Sequence, residues 1–432
     1  MIILEQVDPS TIPQRQELVL GCISLDYELR PMIVAFNRAQ SDVRIVVRDY
    51  SEYLNDGTYE DAIQKINTEI LSGSAPDLLC ASGLPLKQYA AKGILADLWP
   101  LIDSDPDISR EALMRHLFDV MSIDGKLYQV TNSFSIQTAA CRTAITGDKT
   151  SWTLDDVLQA MNNLQPGAGI FGETDTKTGM LNQCLGFNLD SFMDWNTGTA
   201  SFDSETFIEI LKFCNSFPAE FNYENYDWET AESEYSRLMN GKQLMTTCYI
   251  SSFGDLQVQY ALHNADVNFI GFPSENGTGS CFQPGSTISI TTSCKNTEAA
   301  WRFVRELLLA ENQTQEHMWN FPTNKAAFDT LVKEQMTPQY WTNPETGEQE
   351  EISTMGYGIG NDFNVEIYAM KQDEYDAFMR LYENCKTVYS YDQSVMTIIQ
   401  EECEPFFAGQ KTAEEVASII QNRLSLYMAE RT

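Results

Sequence analysis

The stretch ELVLGCISLDYELRPMIVAFNRAQSDVRIVVRDY, residues 17–50, reads as strand, helix, strand. ELVLGCI is a short apolar run of strand length. Between residues 28 and 40, Leu29, Met32, Ile33 and Phe36 recur at the three- and four-residue spacing of one helix face. VRIVVRDY alternates and is rich in valine and isoleucine, as a strand is. Further along, a helix is expected from Tyr59 to Leu71, with Ile63, Ile66 and Ile70 on one face and Gly73 ending it. APDLLCAS gives a third strand and QYAAKGILADLWP a helix and turn. Strands alternating with helices imply a parallel sheet flanked by helices, so the fold class is α/β.

Beyond this unit, a helix over residues 107–121 precedes DGKLYQV, a tight turn into a strand. Residues 132–265 read as mostly helical, with one short strand, QLMTTCYI. VNFIGFP and TISITTS read as strands and TEAAWRFVRELLLAEN as a helix, while residues 340–365 look like a loop insertion. The chain closes on YDQSVMTIIQEECEPFFAGQKTAEEVASIIQNRLSLYMAERT, residues 391–432, two amphipathic helices joined by a one-glycine turn at Gly409. Thr412 with Glu415 three residues on forms a capping box for the second helix.

The chain has 432 residues, enough for two or three domains' worth of core. Its 62 acidic and 28 basic side chains leave a formal net charge of −34, which repels phosphate backbones and anionic headgroups and argues against nucleic-acid binding. No apolar run approaches the roughly 20 residues of a membrane span. The ten cysteines are scattered through apolar runs without a C-x-x-C pair, and there are three histidines, so no metal site or cofactor is expected. GAGIFG at residues 167–172 matches G-x-G-x-x-G but follows a helix and Pro166, not a strand. Asp103, Asp105 and Asp107 alternate like calcium ligands, but Pro106 and the missing glycine and closing glutamate argue for a helix-initiating turn. Residues 1–16, polar and proline-bearing after Met1–Leu4, are expected to be a linker or N-terminal extension.

Several phrases together resemble the bacterial extracellular solute-binding proteins of family 1 type, the substrate-binding proteins of ABC importers. They are LNDGTYEDAIQKINTEILSGSAPDLL, KGILADL, IDGKLYQV (with Val130 where proline is usual), FIGFPSENGTGSCFQPGSTISITTSCKNTEAAWRFVREL, FPTNKAAFD and the C-terminal helices. Their order and spacing cover nearly the whole chain. The resemblance implies a periplasmic-binding-protein-like type II fold, two α/β lobes joined by hinge strands. Crossings would fall near Tyr128–Thr131, Asp266–Phe269 and Asn320–Asn324. Lobe one would be residues 17–129 plus 268–318, and lobe two residues 130–266 plus 320–432. A small-molecule ligand, a sugar or oligosaccharide, would be clamped between the lobes, and membrane permease subunits of the ABC system would be partners. A monomer is expected, extracellular and held to the membrane through a lipidated N-terminus or an upstream segment.

Ligands of open α/β sheets sit at the carboxyl ends of strands. After the first strand, Asp26 offers a carboxylate and Tyr27 a ring face, although Ser24 or Asp26 would equally cap the next helix. Ser82 follows the third strand. Asn132 and Phe134 lie on the first crossing, Phe134 equally a core residue. Tyr249, Ser252 and Phe253 follow QLMTTCYI, where the family places an aromatic platform. Phe282, Tyr357, Tyr391 and Asp392 complete the expected ligand set, and Trp195 reads as core or surface. No catalysis is expected. A glycosidase using Asp26 and Glu229 is the enzyme alternative, and a sensing or adhesion module of a larger surface protein is the third reading.

Overall fold

The computed structural model describes residues 14–54, 59–172, 174–227, 229–274, 277–314, 319–359, 363–389 and 392–431. Ten strands build two sheets: β1 (Gln16–Cys22), β2 (Val43–Asp49), β3 (Leu78–Cys80), β4 (Val130–Thr131), β5 (Ser133–Cys141), β6 (Met245–Ile250), β7 (Cys281–Pro284), β8 (Thr287–Ile290), β9 (Phe321–Pro322) and β10 (Thr387–Val388). The first sheet runs β2-β1-β3-β8-β4. β1 pairs parallel with β2 and β3, as the alternation of strands and helices predicts, but β8 returns antiparallel between β3 and β4, so the sheet is mixed. Leu18, Leu20 and Cys22 point into a core completed by Leu29, Ile33 and Phe36 of the helix Leu29–Ala39, the face read from the sequence.

The second sheet is built around β5, which pairs antiparallel with β6, β7 and β9, while β10 joins parallel on β7. β5 has nine residues and lies in a stretch expected to be mostly helical. Eight of its nine residues, SFSIQTAAC, are buried, so it lacks alternation, and its serine and alanine content carries no strand signal. Residues 340–365 are not a loop. They form the hairpin Tyr340–Thr342 with Gln349–Glu351 and two further paired strands, Met355–Ile359 and Phe363–Ile367. VNFIGFP is also not a strand; it lies along β5 through the isolated bridge of Asn268 with Cys141 and a bond from Gly271 N–H to Ala139 O at 2.9 Å. The helix expected over residues 107–121 is interrupted: a short 3-10 turn, Arg110–Ala112, precedes Arg115–Met121, because Leu113 bridges to Asn324 and Met114 N–H donates to Thr323.

The chain passes between the sheets three times, and the passages lie side by side. Thr131–Ser133 connects β4 to β5, Pro284–Thr287 connects β7 to β8, and Phe321–Pro322 pairs with Phe134 and Ser133. Gly285 N–H donates to Ser133 O at 2.8 Å, Thr323 N–H to Asn132 O at 3.2 Å, and Thr323 Oγ1 to Thr131 O at 2.7 Å. The second passage is thus later than the expected Asp266–Phe269, because Cys281–Pro284 still belongs to the second sheet. Beneath the passages, Phe134, Phe253, Phe282, Phe321, Phe378 and Tyr382 form one aromatic block, with Phe321 and Phe378 centroids 4.5 Å apart.

The two C-terminal helices, Gln393–Phe407 and Ala413–Arg431, pack on each other and on the second core. Thr412 Oγ1 accepts from Glu415 N–H at 3.2 Å and Glu415 Oε2 accepts from Thr412 N–H at 2.8 Å, the capping box the sequence predicts. Asp103, Asp105 and Asp107 form ion pairs: Arg305 forks onto Asp105 and reaches Asp107, and Arg110 pairs with Asp103. The extension expected over residues 1–16 lies outside the described residues as far as residue 13. Gln16 already belongs to β1, and the Arg15 guanidinium bonds the carbonyls of Asn37 and Gln40. Among the described residues no helix is long and apolar enough to cross a membrane.

Candidate functional site: a cleft between the two sheets

A cavity of about 910 Å³ lies between the sheets. Its floor is the second passage: Gln283, Pro284, Gly285 and Thr287. One wall comes from elements of the first sheet. The loop after β3 supplies Ala81, Ser82 and Gly83, the helix Glu60–Leu71 supplies Gln64 and Asn67, and the helix Leu86–Ala91 supplies Lys87 and Gln88. Asn67 is fixed by Tyr89, whose hydroxyl donates to Asn67 Oδ1 at 2.7 Å.

The opposite wall carries the aromatic faces. Trp195 and Tyr427 meet edge-on with centroids 6.3 Å apart and ring planes at 66°. Tyr389 follows β10, and its N–H donates to Phe282 O at 2.8 Å. Its ring lies on the backbone of Gly186, where a Cβ would stand 2.2 Å from the ring, so only glycine leaves room for it. Phe187 braces the same ring edge-on at 6.1 Å. Asp392 lines the cleft while capping the helix Gln393–Phe407, its Oδ1 accepting from Val395 N–H at 3.1 Å.

Of the residues expected to touch ligand, Ser82 and Asp392 line this cleft. Tyr391 lies outside the described residues. Phe134, Phe253 and Phe282 are core residues, each at most 2% exposed, because β5, β7 and the helix after β6 turn those side chains into the aromatic block. Ser252 is committed as the N-cap of the helix Phe253–Leu262, its hydroxyl accepting from Asp255 N–H and donating to the Asp255 carboxylate. Tyr249 points to solvent from β6 and does not line the cleft. Tyr357 packs half-buried on Leu238, Val258 and Phe363 in a separate small core. Asn132 lines a second cavity of about 290 Å³ and donates to Glu28 at 2.7 Å. Tyr27 is 78% exposed, and Asp26 sits against Ser286, with burial pushing its carboxyl above the usual range. Asp26 and Glu229 do not line the cleft, so the pair named for glycoside hydrolysis is not assembled there.

The cleft residues missed in the sequence include the rings Trp195, Tyr389 and Tyr427 and the amides Gln64, Asn67 and Gln88. Trp195 sits in the short hairpin Met193–Asp194 with Thr199–Ala200, read as core or surface. Tyr427 belongs to the apolar stripe of the last helix, and nothing in a single stripe separates a core tyrosine from one at a cleft edge.

A family model described as "Bacterial extracellular solute-binding protein" matches residues 32–348. The chain belongs to that family. No match was found among curated proteins. Among solved structures, the ABC substrate-binding protein Lmo0181 from Listeria monocytogenes, in complex with cycloalternan, is 16% identical with a TM-score of 0.50, covering 96% of this chain and 100% of that one. A solute-binding protein from Thermotoga lettingae bound with alpha-D-tagatose is 16% identical with a TM-score of 0.51, over the same shares. The sugar-binding protein MalE from Xanthomonas citri is 12% identical with a TM-score of 0.55, covering 96% of this chain and 98% of that one. At these identities the likeness is one of fold: two α/β lobes joined by crossing strands, as in periplasmic binding proteins.

In this solute-binding protein the cleft is electrically mixed but acidic. Among the described residues its lining holds Glu60, Asp190, Asp194 and Asp392 against Lys87 and Lys386. No group of three or more His, Cys, Asp or Glu suited to a metal ion occurs among the described residues.

Proposed function

We propose that the protein captures an uncharged sugar or oligosaccharide in this cleft by closing its two lobes, and delivers it to the membrane permease subunits of an ABC importer. Lobe one is residues 17–131 with 286–319, and lobe two residues 133–284 with 321–432, a division that follows the two sheets. The protein acts as a monomer outside the cell, held at the membrane by a lipid anchor or an upstream segment. The observation that carries the reading is the pairing of unlike walls. Tyr389 with the edge-on Trp195 and Tyr427 offers ring faces on one side, and the amides of Gln64, Asn67 and Gln88 offer hydroxyl partners on the other. Ring faces opposite placed polar groups are the elements that fix a ligand's orientation in such sites. A volume of about 910 Å³ is near the top of the roughly 300–1,000 Å³ such sites span, with room for more than one ring. The relatives bound to cycloalternan and tagatose point the same way.

Thermal-shift screening against a panel of neutral mono- and oligosaccharides, including cycloalternan, tagatose and maltotriose, tests it. A sugar at about 100 times its dissociation constant adds roughly 2.7 kcal/mol of stability. At least one panel member should shift the melting temperature, and at the same sugar concentration the shift should fall to roughly half in Trp195→Ala. No shift across the panel refutes the carbohydrate reading.

A further inference from the structure

The two cleft walls touch each other at their exposed edges. Lys87, on the helix Leu86–Ala91 of the first wall, forms an ion pair with Asp190, in the 3-10 turn Leu189–Ser191 of the second. Their side chains are 37% and 36% exposed, which puts the pair at the mouth of the cleft. Beside it, Asn196 Nδ2 donates to Asp124 Oδ2 at 2.7 Å, again from the second lobe to the first, and both residues are exposed. Asp124 is held outward by a tight turn with φ 51°. None of these four residues belongs to the crossing strands.

The charge of the molecule gives this contact its meaning. With a net charge of −34, two lobes brought face to face repel. The cleft lining repeats the imbalance, four carboxylates against two lysines among the described residues, with Glu60 on the first wall and Asp190, Asp194 and Asp392 on the second. Lys87 is the cation of the first wall that meets the second. Reversing it leaves Asp190 facing a carboxylate in an already acidic gap.

We propose that Lys87–Asp190, supported by Asp124–Asn196, is an interlobe latch that shifts the solute-free protein toward the closed cleft without locking it and helps retain the solute afterwards. This rests on the hinge-closure reading above, as the regulation of the same cleft. A partly exposed pair of this kind shifts the closed-to-open ratio by up to about five-fold. Charge reversal adds repulsion to that loss.

Small-angle scattering of the solute-free protein tests the latch directly. Lys87→Glu should give a larger radius of gyration than wild type at low salt, and the change should shrink in about 1 M salt, where charges are screened beyond roughly 3 Å. The swap Lys87→Glu with Asp190→Lys should return the wild-type radius, which separates loss of the latch from loss of fold. Asp190→Ala should open the protein less than Lys87→Glu. An unchanged radius in Lys87→Glu, or a swap that stays as open as the single variant, overturns the proposal. Whether a sugar contracts the wild-type protein is read separately in the same experiment. Failure there refutes the capture reading and leaves the latch result standing.

Discussion

Gly285→Ala should destabilise the protein by about 1–3 kcal/mol, the usual cost of forcing atoms into a filled space. In a protein that also carries Ser133→Ala, the same change should instead be neutral or stabilising. The geometry sets both signs. A Cβ on Gly285 would stand 2.2 Å from Ser133 Oγ, and the next nearest atoms, Asn132 Oδ1 and Ser133 O, are at 3.4 Å. The clash is therefore with one oxygen atom. Ser133 is fully buried, and the strands cannot part without breaking the 2.8 Å bond from Gly285 N–H to Ser133 O. Gly285 is not among the glycines at positive φ, so alanine fits its backbone. With the serine oxygen removed, the ordinary benefit of Gly→Ala, about 0.4–1 kcal/mol from a less flexible unfolded chain, should appear. The coupling between the two sites is then about 1.4–4 kcal/mol, read from denaturant unfolding of the four proteins of the cycle. An equal cost of Gly285→Ala in both backgrounds would refute the close packing of the first and second passages.

Trp195→Ala should weaken binding of whichever sugar the panel identifies by about ten-fold in calorimetry, the scale of one lost aromatic contact, while Tyr249→Ala should leave it unchanged. Asp105 carries an acid-stability prediction. Burial disfavours its ionisation, but hydrogen bonds from Arg305, the Asp107 N–H and Trp301 prevail and hold the carboxyl at about 2, against 3.8 ordinarily. A value lower in the folded state stabilises above about pH 4 and is lost as pH falls through about 2. The effect is at most about 2 kcal/mol, reduced by the water that reaches Arg305. Asp105→Asn should flatten the stability profile of the wild type across that window. The ten cysteines are all free and buried, and burial pushes the Cys141 and Cys403 thiols up to about 12 and Cys294 to about 11. A thiol reagent at pH 8 should therefore react slowly with the native protein and label ten groups after unfolding, as counted by mass spectrometry.

The first sheet and the C-terminal helices were legible because their signals are local. Leu29, Ile33 and Phe36 repeat at helical spacing, and Thr412 with Glu415 fixes a helix start without reference to anything distant. β5 was not legible for a physical reason: a strand buried on both faces has no polar side to alternate with, and Ala139 and Ala140 are poor strand formers held there by β6. The misplaced second passage follows from the same gap, since without β5 nothing says that Cys281–Pro284 has a partner in the second sheet. Little of the cleft was legible. Ser82 and Asp392 follow a strand and precede a helix, positions where the chemistry of loops is predictable. Phe134, Phe253 and Phe282 were attractive as aromatics, yet a sequence shows ring type and not ring direction. Trp195, Tyr389 and Tyr427 are brought together from three segments separated by up to 232 positions in the chain, 427 less 195, and a meeting of that kind is a property of the folded topology alone.

The three passages constrain how such a cleft works. Each is hydrogen-bonded to the residues of another at Thr131, Asn132 or Ser133, so the lobes are not free to slide on independent linkers. What remains is rotation about a stitched strand bundle, with the aromatic block around Phe321 packed beneath it. For a solute to control that rotation, the empty protein must lie close to balance. Moving an equilibrium from 1:99 to 99:1 needs about 5.5 kcal/mol of differential binding, which a single sugar ring stacked on one tryptophan does not supply. A latch of one exposed ion pair and one amide–carboxylate bond, each worth under about 1 kcal/mol, offsets the repulsion of two acidic lobes without locking them. Stronger contacts at the mouth would close the cleft against its own ligand. An uncompensated net charge of −34 would hold it open. The modest, partly exposed character of Lys87–Asp190 is therefore the property that lets the stacking and hydrogen bonds inside the cleft decide when it closes.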